Sequence, residues 1–162
     1  MSPLIHIITA STSGNTEYVT DTFKKRLADS SPDIVIEHQR AELAKPKDLL
    51  RGEILILGSG TWNTGGREGQ LNMHMDALLK QRATDVDLQG KPMTFISLGD
   101  ERYYFRTRCT EHFLRFQREH HGSLFLPPLI IVNEPYGQEE RIDQWTDKFI
   151  AALAKLKTQT IG

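Results

Sequence analysis

The chain has 162 residues, a formal net charge of −1, and 38% hydrophobic and 25% charged residues. These values are typical of one globular domain, and the near-zero charge argues against nucleic acid as a partner. The single cysteine, Cys109, excludes an intramolecular disulfide framework. We expect a cytoplasmic protein without a membrane anchor, because the first ten residues have no basic region and only a short apolar run.

The first half of the chain predicts three strands and one clear helix. Near-continuous branched apolar runs are typical of strands in a parallel sheet that is covered on both faces. Such runs occupy Leu4–Thr9, Asp33–Gln39 and Glu53–Ser59. Between the first two, Val19, Phe23 and Leu27 recur every four residues and predict a helix. The segment 41–52 contains Pro46 and predicts no long helix.

The second half predicts three more helices and two more strands. The helices are indicated by apolar residues on one helical face, which are Leu71, Met75, Leu78 and Leu79; Cys109, Phe113 and Phe116; and Ile142, Trp145, Phe149, Leu153 and Leu156. The strands are Pro92–Leu98 and Leu124–Val132. Pro127 and Pro128 restrict hydrogen bonding in the last strand, so we place it at an edge of the sheet.

Alternating strands and helices predict an α/β doubly wound fold with right-handed crossovers. We expect a five-stranded parallel sheet in the order 2-1-3-4-5, with helices on both faces. Ligands of such sheets bind outside the carboxyl ends of the strands, where the strand order reverses. The loops after the first, third and fourth strands should therefore converge on one crevice.

The first of these loops is an uncharged run of small polar residues. It comprises Ser11, Thr12, Ser13, Gly14, Asn15 and Thr16. Backbone N–H groups at a helix start, hydroxyl donors and a glycine that allows close approach suit an anion. The loop lacks the lysine of nucleoside-triphosphate loops and the GxGxxG of dinucleotide loops, so a terminal monophosphate fits best. An ordinary helix cap with spare turn residues is the alternative.

The other two loops carry aromatic residues on polar turns. The second loop includes Thr61, Trp62, Asn63, Thr64 and Gly65, and the third includes Leu98, Gly99, Asp100, Tyr103 and Phe105. Rings on both sides of a crevice suit a flat conjugated ligand, because they can stack on its two faces. Two alternatives stay open: Trp62 could cover the surface as a lid, and Tyr104 could take the place of Tyr103.

Together the three loops resemble the motifs of the flavodoxin family, which are Ser/Thr-x-Thr/Ser-Gly-Asn-Thr, Thr-Trp-x-x-Gly and Gly-Asp-x-x-Tyr. The resemblance implies an FMN-binding domain over residues 1–162, with the phosphate on the first loop and the flavin between Trp62 and Tyr103. It also implies that Phe105 forms a second wall, that the Asn63 peptide hydrogen-bonds to the flavin, and that Leu98–Asp100 contact its polar edge. The last strand carries no long insertion, which is typical of short-chain flavodoxins.

The same resemblance implies a low-potential electron carrier with no catalytic residues and no metal. Such a carrier would pass single electrons from a flavodoxin reductase to acceptor redox proteins through transient contacts, and we expect it to be a monomer. Two alternatives remain. One is an FMN-dependent NAD(P)H or quinone reductase on the same fold, and the other is a flavin-free binding module.

One departure from the family is the charge, because flavodoxins are typically acidic. Four arginines lie in or beside the second and third loops: Arg67, Arg102, Arg106 and Arg108. A unit charge about 8 Å from the flavin, at an effective dielectric near 20, contributes roughly 2 kcal/mol before screening. These arginines therefore predict a less negative flavin potential and a different docking surface. The alternative is that they are only solvated residues of the rim. We assign His6, His120, His121 and Cys109 to packing and to a helix end rather than to metal binding or catalysis.

Overall fold

The computed structural model describes residues 3–62, 70–99 and 108–161. Its strands are β1 (Leu4–Ala10), β2 (Val35–Arg40), β3 (Ile54–Trp62), β4 (Gln70–Leu71), β5 (Pro92–Gly99), β6 (Ser123–Leu124) and β7 (Leu129–Val132). Its α-helices are α1 (Asn15–Ser30), α2 (Met73–Ala77), α3 (Cys109–Glu119) and α4 (Glu139–Ile161). A π-helical turn, Leu78–Arg82, continues α2. Two short 3-10 helices, Ala41–Leu43 and Pro46–Leu50, stand where no long helix was predicted.

The sheet has the predicted order. Its parallel strands run β2-β1-β3-β5, and both β6 and β7 pair with the far edge of β5. The predicted fifth strand is therefore present, but it is split into two pieces. Pro127 and Pro128 lie between the pieces and have no N–H group to pair with β5. The α/β flavodoxin-like fold with a 2-1-3-4-5 sheet is confirmed.

Two sequence predictions in the middle of the chain were wrong in detail. The third strand does not end at Ser59 but continues through Thr61 and Trp62, because β4 pairs with these residues in an antiparallel direction. Leu71 lies in β4 rather than on the following helix. The helical face begins instead at Met75, and it continues with Leu78 and Leu79 of the π-helical turn.

Two apolar clusters cover opposite faces of the sheet. Successive strand residues alternate between them: Ile5 and Ile7 of β1 face the cluster formed with α1 and α4, whereas Ile8 faces the one formed with α2 and α3. Since both faces are covered, nearly every described position of β1, β3 and β5 is buried, which explains their largely apolar runs in the sequence. In the described part of the chain, no helix is both long enough and apolar enough to cross a membrane.

Three histidines, His6, His120 and His121, lie in the core or at a helix end, as the sequence predicted. His6 is buried, and its Nε2 lies 2.6 Å from Oε1 of Gln39. His120 ends α3, where its Nδ1 lies 2.6 Å from the Val86 carbonyl oxygen. His121 has a left-handed backbone, with a φ of 63°. These positions place His120 and His121 at a helix end, as expected from their sequence position.

Candidate functional site

The carboxyl ends of four parallel strands lie side by side. Ala10 of β1 is paired with Ser59 of β3, and Gly60 of β3 with Leu98 of β5. Gly99 continues this edge towards β7. The described ends of the three predicted loops therefore meet at one edge of the sheet, and they include Ser11–Thr16, Thr61, Leu98 and Gly99.

The remaining predicted site residues lie outside the described residues. They are Asn63, Thr64, Gly65, Asp100, Tyr103 and Phe105, together with the rival Tyr104 and the arginines Arg67, Arg102 and Arg106. Trp62 is described as the last residue of β3. The roles assigned to all of these residues stay predictions.

The start of α1 offers backbone donors. Gly14 precedes the helix with a left-handed φ of 91°, and no side chain caps the helix start. The first intrahelical hydrogen bond runs from the Tyr18 N–H group to the Gly14 carbonyl, at 3.0 Å. The N–H groups of residues 15–17 therefore come before the helical ladder and are available to a ligand. Ser11 Oγ accepts the Gly14 N–H group at 3.0 Å, which shapes the turn in front of them.

The one carboxylate in the first turn of α1 is held elsewhere. Thr9 donates its hydroxyl to Oε1 of Glu17 at 2.8 Å, and Nε2 of His38 lies 2.8 Å from the same hydroxyl. Nζ of Lys24 lies 3.1 Å from the other ring nitrogen of His38. Burial lowers the pKa of His38, so a neutral ring that donates from Nε2 to Thr9 and accepts from Lys24 satisfies every partner. Glu17 is thus tied to β1 and leaves the helix start free for an external anion.

Glu17, Asp21 and His38 together have the composition of a possible metal site. The ammonium group of Lys24 lies 3.8 Å from Asp21 and 3.1 Å from the ring of His38. A cation of the protein itself is therefore already in contact with two of the three groups. We assign the cluster to the packing of α1 against the sheet.

Asn72 is a residue that the sequence analysis missed. It is 1% exposed, and its Nδ2 group donates to the Thr12 hydroxyl oxygen at 2.9 Å. Its Oδ1 accepts the His74 N–H group at 2.9 Å, and its own N–H group donates to Oγ of Ser59 at 3.0 Å. Asn72 therefore connects the first loop to β3 and to the start of α2. The available signal was the residue type, since asparagine is a common helix cap. The predicted helical face began at Leu71, however, and so placed Asn72 inside the helix.

At the carboxyl end of β3, the polar side chain of Thr61 is already hydrogen-bonded within the protein. Thr61 donates its hydroxyl to the Leu98 carbonyl at 3.0 Å and accepts the Cys109 N–H group at 3.4 Å. This hydroxyl is therefore used in joining β3, β5 and α3. Burial raises the pKa of the Cys109 thiol to about 11, and its Sγ lies 3.6 Å from the Ser59 carbonyl oxygen. A neutral, buried thiol fits the predicted packing role.

The donors at the open end of this edge are all uncharged. They are hydroxyl and backbone N–H groups at the positive end of a helix, and the described loop residues Ser11–Thr16 contain no cation and no carboxylate. Such a set can hold an anion by hydrogen bonding and the helix dipole, without an ion pair.

Comparisons with known proteins agree on one family. The flavodoxin family model matches residues 7–145. A protein of Bacillus subtilis (strain 168) described as a probable flavodoxin 2 is 26% identical over 136 residues, which cover 84% of this chain and 86% of the relative.

Two solved structures extend the likeness to the fold. Oxidised flavodoxin 1 from Bacillus cereus has 21% identity and a TM-score of 0.78, over 91% of this chain and 97% of that one. A short-chain flavodoxin associated with a PDU bacterial microcompartment has 19% identity and a TM-score of 0.77, over 96% and 99%. Because the family model covers most of the chain, from β1 into α4, the protein belongs to the flavodoxin family, whose members bind FMN and are typically non-enzymatic electron carriers.

Proposed function

We propose that this protein is an electron carrier that binds FMN noncovalently at the sheet edge described above. The observation that carries the proposal is the open start of α1, where backbone N–H groups follow an uncharged hydroxyl loop. A Cβ atom built on Gly14 would have no heavy atom within 4 Å, so there is open space beside this turn. The donor chemistry and the space both fit a terminal phosphate ester.

The FMN ring system supplies the one-electron chemistry when it is bound, and the protein supplies position and environment. Residues Ser11–Thr16 would hold the phosphate. Trp62 and Tyr103 would cover the two faces of the ring and exclude water, with Phe105 as a further wall. Asn63 and the segment Leu98–Asp100 would offer backbone groups to its polar edge. Thr61, whose hydroxyl is engaged with Leu98, would keep the second and third loops together.

We propose that the carrier works with two transient protein partners in the cytoplasm, a reductase and an acceptor. The arginines Arg67, Arg102, Arg106 and Arg108 would make its rim more basic than that of acidic relatives, and charge on a rim acts mainly on the rate of association. Charge reversal at Arg102 and Arg106 should therefore change both the salt dependence of electron transfer and the flavin potential. Unchanged values for both would remove the rim from the proposal.

The decisive experiment is an absorption spectrum of the purified protein, followed by stepwise reduction with dithionite. We expect a yellow protein with one FMN per chain, released intact by mild denaturation, and two resolved one-electron stages. A colourless protein that ignores added FMN would instead indicate a flavin-free module. Rapid oxidation of NADH or NADPH by the holoprotein, without a separate reductase, would favour the reductase alternative.

A further inference from the structure

We propose that Asn72 is a positioning residue that orients the hydroxyl group of Thr12 towards the phosphate of the bound nucleotide. The inference rests on the proposed function, since it assumes that FMN binds at the first loop. Asn72 itself belongs to neither the hydroxyl loop nor the aromatic motifs. It acts through Thr12, a residue 60 positions away in the sequence.

The orientation of the Asn72 amide is fixed by its second partner. The backbone N–H group of His74 can only donate, and it lies 2.9 Å from Oδ1 of Asn72. The amide oxygen must therefore face α2, and the amide nitrogen must face Thr12, 2.9 Å away. Thr12 consequently accepts this hydrogen bond.

The direction of the Thr12 hydrogen follows from that assignment. A hydroxyl group has one hydrogen and two lone pairs. Because Asn72 occupies one lone pair, the hydrogen points away from Asn72 and is available to another acceptor. Thr12 is exposed, so this acceptor can come from outside the protein. An anion next to the loop would meet a donor that is already turned towards it.

The position of Asn72 is as well determined as its orientation. Its N–H group donates to Ser59, a fully buried residue of β3, and Ser59 in turn donates its hydroxyl to the Gly60 carbonyl at 2.9 Å. The carbonyl of Asn72 accepts the Asp76 N–H group at 2.8 Å, which begins the ladder of α2. Thr12 is therefore held against a strand and a helix rather than against other loop residues.

A purely structural role for Asn72, as the cap of α2, predicts something different. Loss of the cap would lower stability and would affect every ligand of the crevice equally. Loss of hydroxyl orientation would affect only a ligand that carries a phosphate. FMN and riboflavin share the ring system and differ in this phosphate, so comparing their affinities separates the two roles.

The test measures the affinity of the apoprotein for FMN and for riboflavin by quenching of flavin fluorescence. Asn72→Ser keeps a hydroxyl that can cap His74 but is too short to reach Thr12. Thr12→Val removes the donor itself, and we expect it to weaken FMN binding about tenfold or more, as for a hydrogen bond to a charged group. A free hydroxyl has about three staggered positions, so Asn72→Ser should weaken FMN binding about threefold. Neither variant should change riboflavin affinity.

The double variant provides the critical comparison. If Asn72 acts through the Thr12 hydroxyl, Asn72→Ser should have no further effect on FMN affinity in the Thr12→Val background. Equal losses for FMN and riboflavin, or an undiminished effect in that background, would overturn the inference while leaving FMN binding by the native protein intact. Failure of the native protein to bind FMN would overturn the proposed function and this inference together.

A second variant guards against poor folding of Asn72→Ser. Asn72→Asp keeps the shape and the cap but replaces the amide donor with an acceptor, which would draw the Thr12 hydrogen away from the phosphate. We expect at least a tenfold loss of FMN affinity and a much smaller loss of riboflavin affinity. An FMN affinity within about twofold of the native value would contradict the proposed orientation.

Discussion

Gly58 of β3 lies close to β1 and to the start of α1, and alanine at this position should disturb that contact. A Cβ atom there would lie 3.1 Å from Cγ2 of Thr9, its direct neighbour in the sheet. It would also lie 3.4 Å from Cγ2 of Thr16, in the first turn of α1, and 3.5 Å from Cβ of Ile96. The backbone of Gly58 is outside the left-handed region, so crowding rather than backbone strain decides the outcome.

The expected loss of stability follows from two opposing effects. Inserting a methyl group into a filled site costs about 1–3 kcal/mol, and Thr9 is fully buried with a stiff branched side chain. Replacing glycine by alanine restricts the unfolded chain, which offsets about 0.4–1 kcal/mol. We therefore expect Gly58→Ala to lose about 1–2 kcal/mol. For a chain of this size that lowers the melting temperature by about 3–6 °C.

The rescue variant is Thr9→Ser, which removes Cγ2 but keeps the hydroxyl that binds Glu17 and His38. Alone it should lose about 1 kcal/mol, the cost of one buried methyl group. Combined with Gly58→Ala, it makes room for the new methyl group, so the double variant should be no less stable than Thr9→Ser. Urea unfolding of the apoproteins at equal m-value measures the interaction. Losses that simply add, within about 0.5 kcal/mol, would refute the reasoning.

Three further predictions concern single groups. Gly14→Ala should lower the free energy of unfolding by about 1 kcal/mol, because φ is 91°, and it should weaken FMN binding. The control Gly90→Ala, at a similarly open φ of 80°, should lose the same stability without a change in FMN affinity. Equal FMN affinities of the two variants would contradict the placement of the phosphate. Burial lowers the pKa of His38, so the unfolded chain takes up the proton first and stability falls as the pH drops from about 6.5 through the lower folded pKa. In His38→Gln the urea midpoint should change less with pH between about pH 7 and about pH 5 than in the native protein. The same pH dependence in both proteins would exclude His38 as the cause. With a pKa of about 11, roughly one Cys109 thiol in a thousand is ionised at pH 8. The native protein should therefore react with Ellman's reagent only after it is unfolded. Fast labelling of the native protein would contradict this prediction.

The fold could be predicted because its main signals are local in sequence. Each covered strand needs apolar residues on both faces, and each helix needs one apolar face. The run Ile5–Ile8 therefore predicted β1, and the spacing of Val19, Phe23 and Leu27 predicted α1. The edge position of the last strand followed from Pro127 and Pro128, because proline has no N–H group wherever it lies. These properties belong to a residue and its near neighbours.

The errors arose where a partner from another part of the chain decides the structure. Residues Gly60–Trp62 read as a polar loop, yet all three lie in β3. Gly60 pairs with Leu98 of β5, and Thr61 and Trp62 pair with Leu71 and Gln70 of β4. The split of the last strand depends on which of its residues meet β5. The pairing of β3 with β4 leaves no local signature in the sequence, whereas the split of the last strand coincides with Pro127 and Pro128.

The same distinction applies within the site. The sequence identified the hydroxyl loop as a set of donors, but a hydroxyl group can donate or accept, and its use depends on what already occupies it. Ser11 accepts the backbone N–H group of Gly14, and Thr12 accepts the side-chain amide group of Asn72, so both hydroxyls retain their hydrogens for other partners. The first of these bonds lies within the loop and the second comes from the start of α2. The proposed anion site would therefore depend in part on N–H groups that need not touch the ligand, because these groups leave the neighbouring hydroxyls to act as donors.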